Sequence, residues 1–226
     1  MEIFKYSLSK SFLIHLYESL KKNHSPIRLI HNYFLNNIEI KGLTIDFGSE
    51  TEKNSNMSYM DHIKHDSATI KKANLLKEVD IKIDLEKRLD QKNDSYDSVI
   101  LFNTLEHIEN YHNLISEIHR ILKINGKLEI FVPFMVGYHP DPKDIFRPTH
   151  FYLEKILSDL NFKTNIYLIG VGPLMVCFQI ICKYLKFTFL KLPLFIFFYL
   201  IDRFISYFSK DFWKYYCGTH ISCKKT

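Results

Sequence analysis

Short stretches with strand character alternate along this chain with stretches of helical periodicity, and this alternation constrains the fold more than any other feature. Strands that are separated by helices pack as a largely parallel sheet with helices on both faces. The sequence therefore predicts an α/β fold with a doubly wound sheet. The strand candidates, each ending in a small or acidic residue, lie at 42–46, 58–65, 79–83, 96–102, 127–132 and 162–169.

Helix signals lie between these candidates. Ser25 and Pro26 are typical of an N-cap and a first helical position, in the second of two N-terminal helices. A helix is expected over 111–122, with Gly126 just past its end as a stop signal, and Thr149 is expected to cap another helix. With 226 residues, the chain is long enough for one sizeable core. We expect a single domain over 1–226, made of N-terminal helices (1–40), an alternating core (41–170), a hydrophobic helical insertion (171–212) and a last strand (213–226).

Three carboxylates follow predicted strands, where doubly wound sheets bind their ligands. Asp46 lies just before Gly48 in the first turn, Asp66 follows the second strand, and Asp84 ends the third. A carboxylate about 20 residues after a glycine turn can accept hydrogen bonds from both ribose hydroxyls of an adenosine cofactor. The sequence lacks the pyrophosphate-binding G-x-G-x-x-G motif, which favours S-adenosylmethionine over a dinucleotide. Taken singly, each Asp also fits a solvated turn residue, and a Rossmann oxidoreductase or nucleotide-sugar enzyme is an alternative that affinity for a dinucleotide would support.

Two blocks in the middle of the chain carry a family resemblance. Residues 96–108 (YDSVILFNTLEHI) and 118–128 (IHRILKINGKL) resemble the fourth-strand and fifth-strand blocks of class I, S-adenosylmethionine-dependent methyltransferases. Residues 43–151 follow the order of motifs in that family. Within them, 131–134 (FVPF) and 139–149 (HPDPKDIFRPT) are similar to a subgroup associated with glycan, lipopolysaccharide or capsule assembly.

The resemblance implies a Rossmann-like methyltransferase sheet with flanking helices, S-adenosylmethionine as the cofactor, and a last strand that returns antiparallel to the sheet edge. It implies that Glu106 and His107 lie beside the reacting methyl group. The family usually has a second glycine where this chain has Glu50, a change that either weakens cofactor binding or marks a degenerate, inactive protein. The implied cofactor-binding residues are Asp46, Gly48 and Ser49 in the first motif, Asp66 at the ribose, Asp84 and Leu85 at the adenine, and Asn103, Thr104 and Leu105 at the methionine end.

Candidate catalytic residues follow the fourth and fifth predicted strands. Methyl transfer to a hydroxyl needs a base, and histidine titrates in the right range. His107 and His139 are expected to border the acceptor, although His107 also fits a residue hydrogen-bonded to the following helix. Asp144 and Arg147 either form a local salt bridge or face the acceptor, with Arg147 on a phosphate or sugar carboxylate. His139, Asp141 and Asp144 are close in sequence, but no H-x-x-x-H or H-E-x-x-H pattern is present, so no metal is expected.

A long apolar stretch with scattered charges, 174–208, follows the predicted core. Residues 183–226 hold eight Lys or Arg against two Asp, a net charge of +6 in a chain whose total is +5. The longest uninterrupted apolar run, 192–201, spans about 15 Å as a helix, which is too short for a bilayer core of about 30 Å. Three arrangements stay open: a helical cap on the sheet or a dimer interface, a hairpin broken at Pro193 that lies in a membrane interface, and a spanning helix.

Together with these patterns, the family resemblance implies a methyltransferase that methylates an oxygen of a sugar, glycolipid or lipid-linked glycan. The basic residues lie among apolar ones, which favours a peripheral membrane contact through 174–208 and no nucleic-acid partner. The four Cys form no C-x-x-C pair and residues 1–20 do not resemble a secretory signal, so we expect a reduced, cytoplasmic protein, at most peripheral on the inner face of the membrane. The alternative is a catalytically degenerate methyltransferase fold that serves as a membrane-associated binding subunit.

Overall fold

The computed structural model describes residues 1–48, 59–75, 79–140 and 143–226. Its strands are β1 (Glu2–Ile3), β2 (Gly42–Phe47), β3 (Ala68–Asn74), β4 (Ile81–Lys82), β5 (Tyr96–Phe102), β6 (Leu122–Pro133), β7 (Phe162–Val171) and β8 (Tyr216–Lys225). Its helices are α1 (Lys10–Lys21), α2 (Pro26–Leu35), α3 (Tyr111–Ile121), α4 (His150–Asp159), α5 (Pro173–Ile181) and α6 (Thr188–Phe208). Short 3-10 turns lie at Met60–His62, Leu105–His107, Cys182–Tyr184 and Phe212–Lys214.

The strands form one sheet in the order β1-β7-β8-β6-β5-β2-β3-β4. Neighbouring strands are parallel except at β8, which runs antiparallel to both β6 and β7. The strand order reverses between β2 and β5, so this is a doubly wound, Rossmann-like sheet, and the predicted fold class is confirmed. The last strand is antiparallel as expected, but its expected place at the sheet edge is wrong because β7 lies outside it.

Helices cover both faces of the sheet, and β5 contributes side chains to the hydrophobic core on each face. Val99 and Leu101 point into a core shared with α3 and α4. Ile100 and Phe102 point into a second core, shared with α1, α2, α5 and α6. Successive side chains alternate across a strand, so an unbroken apolar run is what a strand buried on both faces requires.

The predicted helix starts at Ser25 and Thr149 are confirmed. The Ser25 hydroxyl accepts a hydrogen bond from the Arg28 N–H at 3.4 Å, with Pro26 at the first helical position. The Thr149 hydroxyl accepts one from the Tyr152 N–H at 3.3 Å. These caps satisfy N–H groups that have no partner within the helix, so they depend on neighbouring residues alone.

The second strand lies later in the chain than the sequence predicts. The sequence predicts this strand over 58–65, whereas β3 begins at Ala68. Ala68 pairs with Gly42, the first residue of β2. The apolar residues that suggested a strand have another role, since Ile63 is buried against the second core outside any strand. Asp66 therefore precedes this strand instead of following it. It lies near the amino end of β3, on the opposite side of the sheet from the carboxyl ends of the strands.

Helix α3 spans Tyr111–Ile121, so the predicted helix over 111–122 is confirmed, but β6 begins at once with Leu122 and the predicted role of Gly126 as its stop signal is wrong. Gly126 instead lies within β6, where the pairing with β5 shifts register. A glycine cap is unnecessary because the Lys225 ammonium donates to the carbonyl oxygens of His119 and Leu122, at 2.8 and 2.7 Å.

Helix α6 continues through Pro193, so the predicted break at that residue is wrong. Proline lacks the N–H that would bond four residues back. Pro193 lies in the second turn of α6, so the carbonyl group four residues before it has no N–H partner within the helix. Packing of α6 against α1 and α5 offsets that loss.

The C-terminal helices form a cap on the sheet, the first of the three arrangements left open by the sequence. The Phe195 ring of α6 lies between Phe12 of α1 and Phe178 of α5, with ring centroids 6.1 and 5.7 Å away. Asp202 of α6 accepts hydrogen bonds from the N–H groups of Leu174 and Met175 at the start of α5. Within the described ranges, no helix is long and apolar enough to cross a membrane.

Candidate functional site

A cleft of about 2380 Å³ opens at the carboxyl ends of β2 to β6. In doubly wound sheets this edge binds ligands, because the connections diverge there and leave a crevice. The cleft brings together most of the residues that the sequence singled out. Of these, Asp46, Gly48, Asp84, Leu85, Asn103, Thr104, His107 and His139 line it. Ser49 and Glu50, the rest of the predicted first motif, lie outside the described residues.

Asp46 is a buried residue next to the carboxyl end of strand β2, and it lines the cleft. Its oxygens accept hydrogen bonds from the Tyr59 hydroxyl at 2.7 and 2.9 Å. Burial raises the pKa of Asp46 to about 7, although the Tyr59 hydrogen bond and the Lys72 charge on the neighbouring strand pull it down. The carboxyl group is therefore poised between its neutral and charged forms at physiological pH.

Gly48 follows β2 in a conformation that other residues rarely adopt, with φ of 79°. A Cβ atom there would lie 2.2 Å from the Thr104 hydroxyl oxygen. That hydroxyl donates toward the carbonyl oxygens of Phe47 and Phe102, at 3.2 and 3.0 Å. The glycine thus lets Thr104 tie the end of β2 to the end of β5 at the floor of the cleft.

The strand shift described above changes the residue at the end of β3. Asp66, predicted at the ribose, lies at the far edge of the sheet, so that prediction is wrong. Asn74 ends β3 and lines the cleft in its place. An amide side chain has one acceptor oxygen and two donor hydrogens, so it can still bond to a pair of hydroxyl groups.

Asp84 and Leu85 follow β4 and lie in the cleft as expected for that strand end. The Lys87 ammonium lies 3.0 Å from the Asp84 carboxylate. The hydrogen bond from Lys87, together with one from the Glu86 N–H, lowers the pKa of Asp84 below its ordinary value. Asp84 is therefore an ionised acceptor at the cleft wall, beside an apolar side chain.

The turn after β5 carries the predicted methionine-end residues. Asn103 has a left-handed φ of 48° and donates its N–H to the Phe131 carbonyl at 2.9 Å. A non-glycine residue in this conformation is uncommon and often marks a functional turn. Leu105 is fully buried in the first core and is not among the residues that line the cleft, so its contact with a ligand stays a prediction.

Glu106 and His107 complete this turn and face the cleft. Glu106 is 1% exposed, and its Oε2 atom has no hydrogen-bond partner among the described residues. Burial raises the pKa of Glu106 to about 7. His107 donates from Nδ1 to the Lys143 carbonyl, and its Nε2 atom lies 3.8 Å from Glu106 Oε1. When the ring is neutral, Nε2 therefore holds the basic lone pair.

The loop after β6 brings His139 to His107, with ring centroids 5.8 Å apart. Asp144 supports this loop by accepting the His139 N–H at 2.8 Å and by pairing with Arg147. Of the two alternatives for Asp144 and Arg147, the structure shows the local salt bridge. Neither residue is among those that line the cleft, whereas His139 is. In the described ranges, no group of His, Cys, Asp or Glu is arranged to hold a metal ion, and Asp141 lies outside those ranges.

Sequence patterns missed several polar residues of the cleft, among them Tyr59, Asn74 and His31. Tyr59 and Asn74 were missed because the second strand was placed too early. His31 also lines the cleft, and it lies on the buried face of α2 between Ile30 and Phe34. A polar residue on a largely apolar helix face was the available signal for it.

Comparison with known proteins identifies the same fold. Residues 55–130 match a family profile described as a methyltransferase domain, a match that covers less than half of the chain. No curated protein sequence matches the chain.

Solved structures with the same fold have low sequence identity to this chain. A SAM-dependent methyltransferase from Archaeoglobus fulgidus aligns with a TM-score of 0.54 and 13% identity, over 96% of this chain and 100% of that one. Phosphoethanolamine N-methyltransferase 2 from Haemonchus contortus, in complex with phosphomonomethylethanolamine and S-adenosylhomocysteine, aligns with a TM-score of 0.54 and 13% identity, over 98% of this chain and 61% of that one. The [4+2]-cyclase SpnF aligns with a TM-score of 0.52 and 12% identity, over 88% of this chain and 80% of that one.

Proposed function

From the class I methyltransferase fold and the methyltransferase-domain match, we propose that this chain transfers a methyl group from S-adenosylmethionine to an oxygen of a sugar, glycolipid or lipid-linked glycan. Methyl transfer from S-adenosylmethionine rests on the domain match and on the fold of neighbours such as the Archaeoglobus enzyme. The observation that carries the proposal is the cleft at the carboxyl ends of β2 to β6, where polar residues from successive strand ends converge.

The described cleft residues fit this cofactor. Asn74 can bond to the ribose hydroxyls, and Asp84 with Leu85 offers an acceptor and an apolar wall for the adenine. The buried acids Asp46 and Glu106 supply acceptors toward the positively charged end of the cofactor. When bound, S-adenosylmethionine supplies an electrophilic methyl group, so the protein must position the acceptor and remove its proton.

A hydroxyl acceptor is supported by the histidines around the cleft. His107 carries a basic Nε2, and His139 lies beside it. The loop that holds His139 also contains the residues similar to glycan-assembly methyltransferases. A carboxylate acceptor would need no base, and the histidines would then have no role in proton transfer.

A lipid-linked acceptor is supported by the far wall of the cleft. Ile180, Lys183, Leu185 and Lys186 from the end of α5 and the turn after it line the cleft. Lys183 and Lys186 are exposed beside exposed aromatic residues of the C-terminal segment. Apolar side chains interleaved with cations suit an anionic membrane surface. We place the chain at such a surface, with the cleft open toward it.

Calorimetric titration with S-adenosylmethionine and S-adenosylhomocysteine tests the cofactor site. We expect binding in the micromolar range, weakened about tenfold or more in Asn74→Ala, since each hydrogen bond to a ligand hydroxyl contributes roughly 1 kcal/mol or more. Asp66→Ala is the matched control and should bind like the wild type, because Asp66 lies at the other sheet edge.

The same titration separates the alternatives. A folded wild-type protein that binds neither ligand would overturn the enzyme proposal and favour the degenerate binding subunit, with Glu50 as the residue to revert to glycine. Binding with no methylated product would point to another reaction on this fold, which SpnF shows the fold can support. Product is detected by mass spectrometry as the addition of one methylene unit to an alkyl glycoside.

A further inference from the structure

Three buried side chains from distant parts of the sequence form a hydrogen-bonded chain beneath the cleft. Glu129 of β6 accepts from His220 of β8, with Oε2 and Nε2 3.0 Å apart. His220 Nδ1 lies 3.0 Å from Nε2 of His31 in α2. The Ser222 hydroxyl also donates to Glu129 Oε2, at 2.6 Å. His31, His220 and Glu129 are 3%, 0% and 3% exposed.

The order of these bonds fixes the tautomer of each ring. An ionised Glu129 only accepts hydrogen bonds, so His220 Nε2 must carry a hydrogen. A neutral His220 then has its lone pair on Nδ1, and His31 must donate to it from Nε2. The remaining nitrogen of His31, Nδ1, therefore holds a basic lone pair.

His31 lies at the cleft end of this chain of bonds. Its ring lines the cleft and stacks on Phe131 of β6, with centroids 3.7 Å apart and an interplanar angle of 14°. It also contacts the edge of Phe102, the residue before Asn103, at 5.1 Å. The ring is thus held in one orientation over the carboxyl ends of β5 and β6, next to the turn predicted at the methionine end of the cofactor.

The surroundings keep His31 in its neutral form, with a lone pair free to accept a proton. Burial is the main cause that lowers the pKa of His31 well below its ordinary value. The charged or titratable groups that face it, His220 from β8, Arg28 from α2 and His62 from the turn before β3, lower that pKa further. A buried polar network in an otherwise apolar core is costly unless every member is bonded, and this one is.

We propose that His31, in place of the sequence candidates His107 and His139, is the general base of the methyl transfer. His220 and Glu129 are positioning residues: His220 sets the tautomer of His31, and the Glu129 carboxylate, acting through His220, stabilises the charged form of His31. This inference rests on the proposed function. As the acceptor oxygen bonds to the methyl carbon, the bond from that carbon to sulfur breaks and sulfur keeps the electron pair. The hydroxyl proton moves to His31 Nδ1, and the positive charge passes from the sulfonium to the imidazolium. The imidazolium later releases the proton to solvent through the cleft.

The test compares turnover and cofactor affinity in the full chain, with octyl glucoside and a panel of alkyl glycosides as acceptors. We expect His31→Ala to lose about 100-fold or more in turnover while its affinity for S-adenosylhomocysteine stays close to that of the wild type. Added imidazole should restore part of the lost rate, which a merely structural role for His31 would not allow. His15→Gln is the matched control, since this half-buried histidine bonds to the Leu29 carbonyl of α2 but is not among the residues that line the cleft.

Glu129→Gln tests the positioning role. Without the carboxylate, the charged form of His31 is less stable, so the acid limb of the rate–pH profile should move to lower pH. Ring nitrogen shifts in NMR give a second readout that needs no turnover: the proposal requires hydrogen on His31 Nε2 and none on Nδ1.

Each outcome bears on one proposal. Product formation that survives His31→Ala, or a hydrogen on His31 Nδ1 at neutral pH, overturns the role of His31 and leaves the methyltransferase proposal standing. Cofactor binding with no product from any glycoside overturns the acceptor class, and the role of His31 as its base falls with it. Absent cofactor binding in the wild type overturns the proposed function itself.

Discussion

At the scale of single residues, burial of two carboxyl groups sets the electrostatics of the cleft. The pKa of both Asp46 and Glu106 is raised to about 7, mainly by burial. A neutral carboxyl group can donate a hydrogen bond, whereas a charged one attracts a cation. A cationic ligand should therefore draw protons off these groups when it binds.

Asp46→Asn should change how stability depends on pH. A carboxyl group whose folded pKa lies above its unfolded value stabilises the fold fully below about pH 4, and that contribution is lost as the pH rises toward about 7. The Asn variant should therefore gain stability over the wild type as the pH rises through this range, by on the order of 2–4 kcal/mol, and keep that gain above pH 7. The quantity to compare is the difference in unfolding free energy between the variant and the wild type. Buried histidines with lowered pKa values make the stability of both proteins rise with pH, and that contribution cancels in the difference.

Thermal unfolding followed by circular dichroism from about pH 4 to 8 measures this difference. Asp61→Asn is the control, since Asp61 is exposed. A constant difference between Asp46→Asn and the wild type across the range would show that Asp46 is charged in the folded protein throughout.

At the scale of elements, the junction of α3 and β6 depends on the far end of the chain. Lys225 is 6% exposed, and its ammonium donates hydrogen bonds to the carbonyl oxygens of His119 and Leu122 and to the Asp94 carboxylate. A cation at a helix C-terminus is favoured by the helix dipole as well as by these bonds. The last strand therefore stabilises the end of a helix about a hundred residues earlier in the sequence, and this contact exists only in the folded protein.

Lys225→Met should destabilise the protein by about 2–4 kcal/mol, because buried carbonyl groups and a carboxylate lose a charged donor. Lys224→Met is the matched control, since Lys224 is the exposed neighbour on the same strand. Urea unfolding at neutral pH measures both. Equal stability of the two variants would contradict the role assigned to Lys225.

At the scale of the whole molecule, the outer face of α6 exposes several large apolar side chains along one helix. Phe197, Phe204 and Phe208 are 55%, 64% and 77% exposed and follow one another at helical spacing. Arg203 and Lys210 are exposed beside them. Contiguous apolar surface of this kind marks contact with a membrane or another protein.

The variant Phe204→Ser/Phe208→Ser should bind anionic phosphatidylserine vesicles at least about tenfold more weakly than the wild type, because each buried aromatic side chain contributes roughly 1.5–3 kcal/mol. Phe151→Ser is the matched control, since Phe151 is 72% exposed on α4, across the sheet. Vesicle co-sedimentation at two salt concentrations measures the effect. Unchanged vesicle binding together with a concentration-dependent dimer in the wild type alone would assign this face to a dimer interface.

The sequence alone determined those features that depend on neighbouring residues. The caps at Ser25 and Thr149, the strand over 96–102 and the α/β alternation follow from local periodicity and local hydrogen bonds, and the structure confirms them. The same local signals placed Asp46, Asp84 and His107 at strand ends that do converge on the cleft. Their roles toward a ligand remain predictions.

Only the tertiary structure decided what depends on pairing between distant segments. Asn74 replaces Asp66 at the cleft because the start of β3 is set by its register with β2, which apolar residues before the strand do not reveal. β8 lies inside the sheet because both of its edges find partners there. His31, His220 and Glu129 meet only when α2 packs over β6 and β8, so no spacing in the sequence could have shown that they form one chain of hydrogen bonds.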